Sequence, residues 1–133
     1  VYLILLLYHI FPMWTSSYVR KEADKMEIFV VIYKLLSSLE ECMDIKWESF
    51  LERDAAINEA LGGISLSLRY NVAVMLQEAD MIEQFSREQK REAKHIDFCV
   101  TRLTLDGLEY LHTSPFMKTA AAIAISEDNN IIQ

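Results

Sequence analysis

A chain of 133 residues, 52% apolar and 25% charged, has the size of one globular domain and is too hydrophobic for a disordered chain. Only 3 Gly and 2 Pro leave few places for tight β-turns, which disfavours a many-stranded sandwich or barrel against a mainly helical fold. The 13 basic residues against 20 acidic give a net charge of −7, which excludes a broad nucleic-acid-coating surface and restricts any such contact to a local basic edge.

Residues 1–14, VYLILLLYHIFPMW, form an apolar run shorter than the roughly 20 residues of a spanning helix, and His9 and Pro12 interrupt it. The run lacks the basic start of a signal peptide, and Trp14-Thr15-Ser16-Ser17 is a weak cleavage site. A membrane anchor and secretion are therefore disfavoured, and a cytoplasmic location is expected. Arg20-Lys21-Glu22-Ala23 can be encoded by a purine-rich ribosome-binding string just ahead of Met26. On that reading Met26 is the natural start, and residues 1–25 pack loosely or project as a separate helix.

From Met26 the apolar residues Ile28, Val31, Ile32, Leu35, Leu36 and Leu39 recur in steps of three and four, which predicts an amphipathic helix with one buried stripe to about Met43. A second helical stretch after Asp44 carries Trp47, Phe50, Leu51, Ile57 and Leu61, with Asp54 placed to cap an inner helix Ala55–Leu61. Gly62-Gly63 stops it. Ser65 can cap the next helix, whose expected buried row is Ile64, Leu68, Val72, Met75, Leu76 and Ala79, leaving Ser67, Arg69, Tyr70, Asn71 and Gln77 outside. Two helices joined by a Gly-containing turn form a helix-turn-helix signature.

Met81–Phe85, a charged run from Ser86 to Lys94, and an alternating segment Ile96–Leu103 then predict a β-hairpin with a polar tip. In the second strand Ile96, Phe98, Val100 and Arg102 should share one side, with Asp97, Cys99, Thr101 and Leu103 on the other. Thr104 or Asp106 can cap a helix through Leu108, Tyr110 and Leu111, and Pro115 opens a last helix to about Ile125. The tail 126–133 should fray. The predicted fold is mainly α with a small β-hairpin (α+β): a winged helix-turn-helix over residues 26–125 with a carboxy-terminal helical extension.

Three blocks resemble the YjcQ-like winged-helix family of Firmicutes and their phages. They are IYKLLSSLEECMD (Ile32 to Asp44), LGGIS with LQEADMIEQF (Leu61 to Ser65 and Leu76 to Phe85), and RLTLDGLEYLHTSPFMKTAAAIA (Arg102 to Ala124). The third is the most specific, through Leu103-Thr104, Gly107 to Leu111 and Ser114 to Lys118. The family usually has Gly where Asp80 and Gln84 stand, and often an aromatic in place of Met81. Asp tolerates the left-handed conformation that a helix stop needs, so Asp80 can serve. The resemblance implies the winged-helix fold far more than an activity.

A DNA-binding winged helix inserts its second motif helix into the major groove, and Arg, Asn and Gln suit base edges. Ser67, Arg69, Tyr70, Asn71 and Gln77 are the candidates, with an ordinary solvated helix face as the alternative. The wing tip adds Arg87, Lys90, Arg91 and Lys94 against Glu88 and Glu92, a local positive excess suited to phosphates and equally to solubility. The partners expected are double-stranded DNA and a second copy of the chain, with a protein partner without DNA as the other class.

No catalytic residue, metal site or cofactor is expected, and an enzyme is improbable. Glu40, Asp44, Glu48 and Glu52 lie four apart without the Glu-x-x-His motif of a di-iron pair. His95-x-Asp97 has no Cys or His companion at zinc-ligand spacing, and His112 stands alone. Cys42 in a helix and Cys99 in a strand read as packing thiols. Tyr33, Trp47, Phe50, Phe98, Tyr110, Phe116 and Met117 read as core or dimer packing, and the Ala-rich Thr119–Ile125 as a face that another helix, a partner subunit for one, can approach closely.

Overall fold

The apolar periodicity after Met26 belongs to a helix that starts earlier, at Ser16, and runs without a break to Glu41 (α1). The computed structural model describes residues 16–46, 48–90 and 94–132, so the apolar run 1–14, Trp47 and Arg91 lie outside the described residues. The helix buries more than one stripe: Val30, Val31 and Ile32 are all buried, as are Leu35, Leu36 and Leu39. Consecutive buried residues mean that α1 is enclosed on several sides. It packs against all the later helices and the second strand, so it is the axis of the core.

A 3-10 turn over Cys42–Asp44 ends α1, and α2 runs from Phe50 to Ala60. Because α2 is one helix, Asp54 lies inside it rather than capping an inner Ala55–Leu61 helix. Its buried face is Arg53, Asp54, Ile57 and then Leu61, while Leu51 is 81% exposed. Gly63, at φ +84°, makes the turn into α3, Leu66–Glu78, whose first turn is capped as expected: the Leu68 N–H donates to Ser65 Oγ at 3.2 Å. In α3 Val72, Ala73 and Leu76 are buried and Ile64 and Leu68 half-buried. Met75 and Ala79 are exposed, a correction to the expected row, because Ala73 takes the inward position that Met75 was expected to hold.

The end of α3 is a Schellman motif. The Asp80 N–H donates to the Gln77 carbonyl and the Met81 N–H to the Leu76 carbonyl, with Asp80 at φ +59°. Strand β1 (Ile82–Glu83) then pairs antiparallel with β2 (Arg102–Leu103), in the register Ile82 with Leu103 and Glu83 with Arg102. The paired strands are far shorter than the expected Ile96–Leu103 segment. Cys99 and Val100 form a turn, closed by the Thr101 N–H on the Phe98 carbonyl, and this resets the alternation. Ile96 and Phe98 are buried as expected, but Thr101 is buried and Val100 exposed.

Helix α4, Leu105–Thr113, is tied to the end of α3. Thr104 Oγ1 accepts the Gly107 N–H at 3.0 Å and donates to the Asp80 carbonyl at 2.6 Å, and the Thr104 N–H reaches the Met81 carbonyl. A Cβ on Gly107 would stand 2.0 Å from the Met81 carbonyl oxygen, so only glycine permits this approach. Helix α5 runs from Pro115 to Ile132, well past the expected end at Ile125, so the tail 126–132 is helical rather than frayed. The small residues Ala120 and Ala124 are buried where α5 lies along α1 of the same chain. Phe116 stacks on Phe29 with ring centroids 4.6 Å apart, and Lys34 pairs with Glu127. Among the described residues, the chain is thus an α+β protein of five α-helices and one two-stranded sheet.

Two substitutions in this junction should act in opposite directions. Gly107→Ala should cost about 3 kcal/mol or more, because a methyl cannot share space with a backbone carbonyl. Gln84 stands at φ +61°, and Gln84→Gly should raise stability by about 0.5–1 kcal/mol by relieving a left-handed residue. Urea melts check both, and a Gly107→Ala protein as stable as wild type would contradict the packing described.

Candidate nucleic-acid interface

The wing is positioned from α2. Extending the Ile57–Leu61 stripe back by one helical turn lands on Arg53 and Asp54, and both are buried. Arg53 donates from its two terminal nitrogens to the carbonyls of Cys99, at 3.1 Å, and Thr101, at 2.8 Å. Asp54 Oδ1 accepts the Phe98 N–H at 2.7 Å, and Asn58 donates to the Ile96 carbonyl at 2.9 Å and to Asp54 Oδ1. Three α2 side chains therefore hold the backbone of 96–101, the returning limb of the wing, without a continuous strand ladder. Residue type alone does not single out Arg53 and Asn58 and suggests a cap for Asp54; the signal in the sequence is a stripe that becomes polar one turn before Ile57.

The outgoing limb is held from α3. Gln77 takes both backbone groups of Phe85, accepting its N–H at 2.6 Å and donating to its carbonyl at 3.0 Å. Arg69 Nε donates to the Ile64 carbonyl and a second guanidinium nitrogen to Asn58 Oδ1, while Tyr70 Oη donates to the Arg87 carbonyl at 3.1 Å. Arg69, Tyr70 and Gln77, expected to face outward, are therefore half-buried bracing residues. Ser67 and Asn71 are exposed as expected.

Between the start of α3 and the wing lies a shallow cleft of about 370 Å³, lined by Ser67, Tyr70, Arg87, Lys90 and His95 among others. The fold brings the exposed start of α3 and part of the basic wing to one place. Arg87 also pairs with Glu78 at 3.1 Å, an exposed contact of small energetic weight. Lys90 and Lys94 are exposed, and Arg91 lies outside the described residues.

The remaining titratable candidates fall into separate surroundings. Glu40, Asp44, Glu48 and Glu52 share no helix face, because α1 ends at Glu41. His112 is not alone: its Nε2 contacts Glu40 and joins α4 to α1. Cys42 is buried, and burial pushes its thiol up. Cys99 lies in the Cys99-Val100 turn rather than a strand and is half-buried. The Cys99 N–H donates to Asp97 Oδ1 at 2.9 Å, and this contact, with the Cys99 side chain, holds the Asp97 carboxyl below its ordinary value. Burial first, and then the neighbouring Asp97, push the Cys99 thiol up to about 11. His95 Nε2 stands 3.2 Å from Asp54 Oδ2, so the His95-x-Asp97 pair does have companions in space.

Among the described residues, five helices, two of them a helix-turn-helix pair, and a short hairpin braced on that pair define a small α+β protein of winged-helix-like build. A family model described as YjcQ protein matches residues 33–128, and the chain belongs to that family. Neither a curated protein nor a solved structure matches it. Among the described residues, no helix is long and apolar enough to cross a membrane.

The surroundings of Cys99 set its reactivity. A thiol at about 11 instead of 9.0 carries about 100-fold less thiolate near neutral pH. In a Cys42→Ser background, iodoacetamide at pH 8 should therefore label folded Cys99 more slowly than the urea-unfolded chain by about 10-fold or more, the scarcity of thiolate outweighing its higher nucleophilicity. Asp97→Asn should speed the reaction. Equal rates in the folded and unfolded chains would contradict this.

Proposed function

We propose that the protein binds double-stranded DNA, with the wing on phosphates and the start of α3 at the major groove. The observation that carries this reading is the cleft where α3 and the wing meet, with Arg87 and Lys90 beside Ser67. With Arg69, Tyr70 and Gln77 engaged internally, direct base contact falls to Ser67 and Asn71. Two short polar side chains give modest sequence discrimination, so most affinity would come from phosphate neutralisation by Arg87, Lys90, Arg91 and Lys94. A homodimer fits the reading, since winged-helix and helix-turn-helix proteins gain specificity by pairing half-sites. So does a cytoplasmic role as a phage- or prophage-type transcriptional regulator, with no catalytic step.

A second reading, a protein-interaction module without DNA, is favoured by one feature of the same helix. Leu66 and Met75 are exposed on α3, at 37% and 50%, where a DNA reader would carry polar groups. The overall charge of −7 leans the same way.

A gel shift separates the two. At low salt a random duplex should be retarded, with log affinity falling against log salt at a slope of roughly −3 to −4 for four phosphate contacts. Changing Arg87, Lys90, Arg91 and Lys94 together to Glu should abolish the shift. No shift, or one indifferent to the charge reversal, would overturn the DNA reading.

A further inference from the structure

The packing of the wing against α2 brings together donors that are scattered in the sequence. Side-chain ligand atoms of Asp54, Asp97 and Cys99 all lie within 4.8 Å of one another. His95 Nε2 is 3.2 Å from Asp54 Oδ2. We propose that Asp54, His95, Asp97 and Cys99 form a binding site for a zinc-class divalent transition metal at the base of the wing.

Four features support this assignment. The donor set mixes one sulfur, one imidazole nitrogen and two carboxylates, the combination that suits Zn²⁺ better than Mg²⁺ or Ca²⁺, which prefer oxygen alone. Asp54 is anchored before any metal arrives: it is more than nine-tenths buried, and its Oδ1 is fixed by the Phe98 N–H and Asn58, leaving Oδ2 toward His95. Such an outer shell orients a carboxylate ligand. The other three donors need only converge, since ligands around a tetrahedral zinc are about 3.3–3.8 Å apart at ordinary bond lengths. His95 and Asp97 are exposed and Cys99 half-buried, so His95 can swing onto the ion, and Asp97, whose Oδ1 holds the Cys99 N–H, can ligate through Oδ2.

Charge gives the fourth. With Cys99 as thiolate the donors carry three negative charges, and the Arg53 guanidinium, bonded to the Cys99 carbonyl, supplies one positive charge. A divalent cation balances the remainder. On binding, Cys99 Sγ–H releases its proton to solvent and the sulfur lone pair forms the metal bond, with no change of oxidation state. The ion would tie 95–99 to α2 by bonds stronger than the present hydrogen bonds and so stiffen the limb that leads from the wing tip. The site does not depend on DNA binding, and its test contains no DNA.

The test uses the full chain, freed of metal by chelator, titrated with CoCl2 and followed by absorption, with ZnCl2 displacement to obtain the zinc affinity. One equivalent of Co²⁺ should produce a sulfur-to-cobalt charge-transfer band in the near ultraviolet and a visible spectrum of tetrahedral intensity, both lost on adding Zn²⁺. The band should vanish in Cys99→Ser and persist in Cys42→Ser. His95→Gln and Asp97→Asn should each weaken zinc binding by about 10-fold or more. These three positions are solvent-accessible, so their variants test the site even if Asp54→Asn fails to fold. No binding, binding without a thiolate band, or a band that survives Cys99→Ser would overturn the assignment.

Discussion

The guanidinium of Arg53 is buried between two carbonyls of the returning wing limb, and the outer half of the molecule depends on that placement. The β-ladder of the wing is only two residue pairs long, too little to hold a hairpin in water. Hydrogen bonds to a charged donor contribute about 1.5–3 kcal/mol each, and a buried guanidinium without them would be costly. Arg53 therefore works in both directions: the limb satisfies the charge, and the charge fixes the limb. Asp54 and Asn58 extend the same arrangement along 96–98.

The opposite edge is held by backbone geometry rather than charge. The left-handed Asp80 turns the chain out of α3, and Thr104 and Gly107 close on that turn from α4. Thr104 and Gly107 lie in the block where the family resemblance is most specific, while Asp80 stands where the chain departs from it. The glycine that the resemblance implies at positions 80 and 84 would suit the positive φ observed at both, and this chain's Thr104 and Gly107 form the cap and the close approach. This chain keeps the backbone conformation with Asp80 and Gln84 and accepts the strain.

Much of this order is legible from one sequence. Ser65 and Thr104 cap the helices they were expected to cap, and the two-helix turn at Gly62-Gly63 stands where the glycines put it. The errors have common causes. Met75 reads as an inward residue because it is apolar, but Ala73, too small to weigh in a hydrophobic pattern, holds the buried position. Arg69, Tyr70 and Gln77 read as outward residues because they are polar, yet each bonds a backbone group of a neighbouring segment, information that lies in tertiary structure alone. Asp54 suggests a cap by its type, while the helical period from Ile57 and Leu61 puts it in the core. Polar residues on an apolar stripe were the legible sign of the site, and residue type overshadowed periodicity.

What the molecule offers a partner follows from these constraints. The braced residues leave a narrow exposed edge of Ser67, Asn71 and wing cations on an acidic body, so any nucleic-acid contact depends on how firmly the wing is held. The most direct test of that dependence is Arg53→Met, which keeps the apolar stem and removes the fork. Equilibrium denaturation, with hydrogen exchange at Phe98 and residues 101–103, should show a loss of about 3 kcal/mol and protection falling first in that limb. Stability within about 0.5 kcal/mol of wild type, with protection at Phe98 unchanged, would contradict the account.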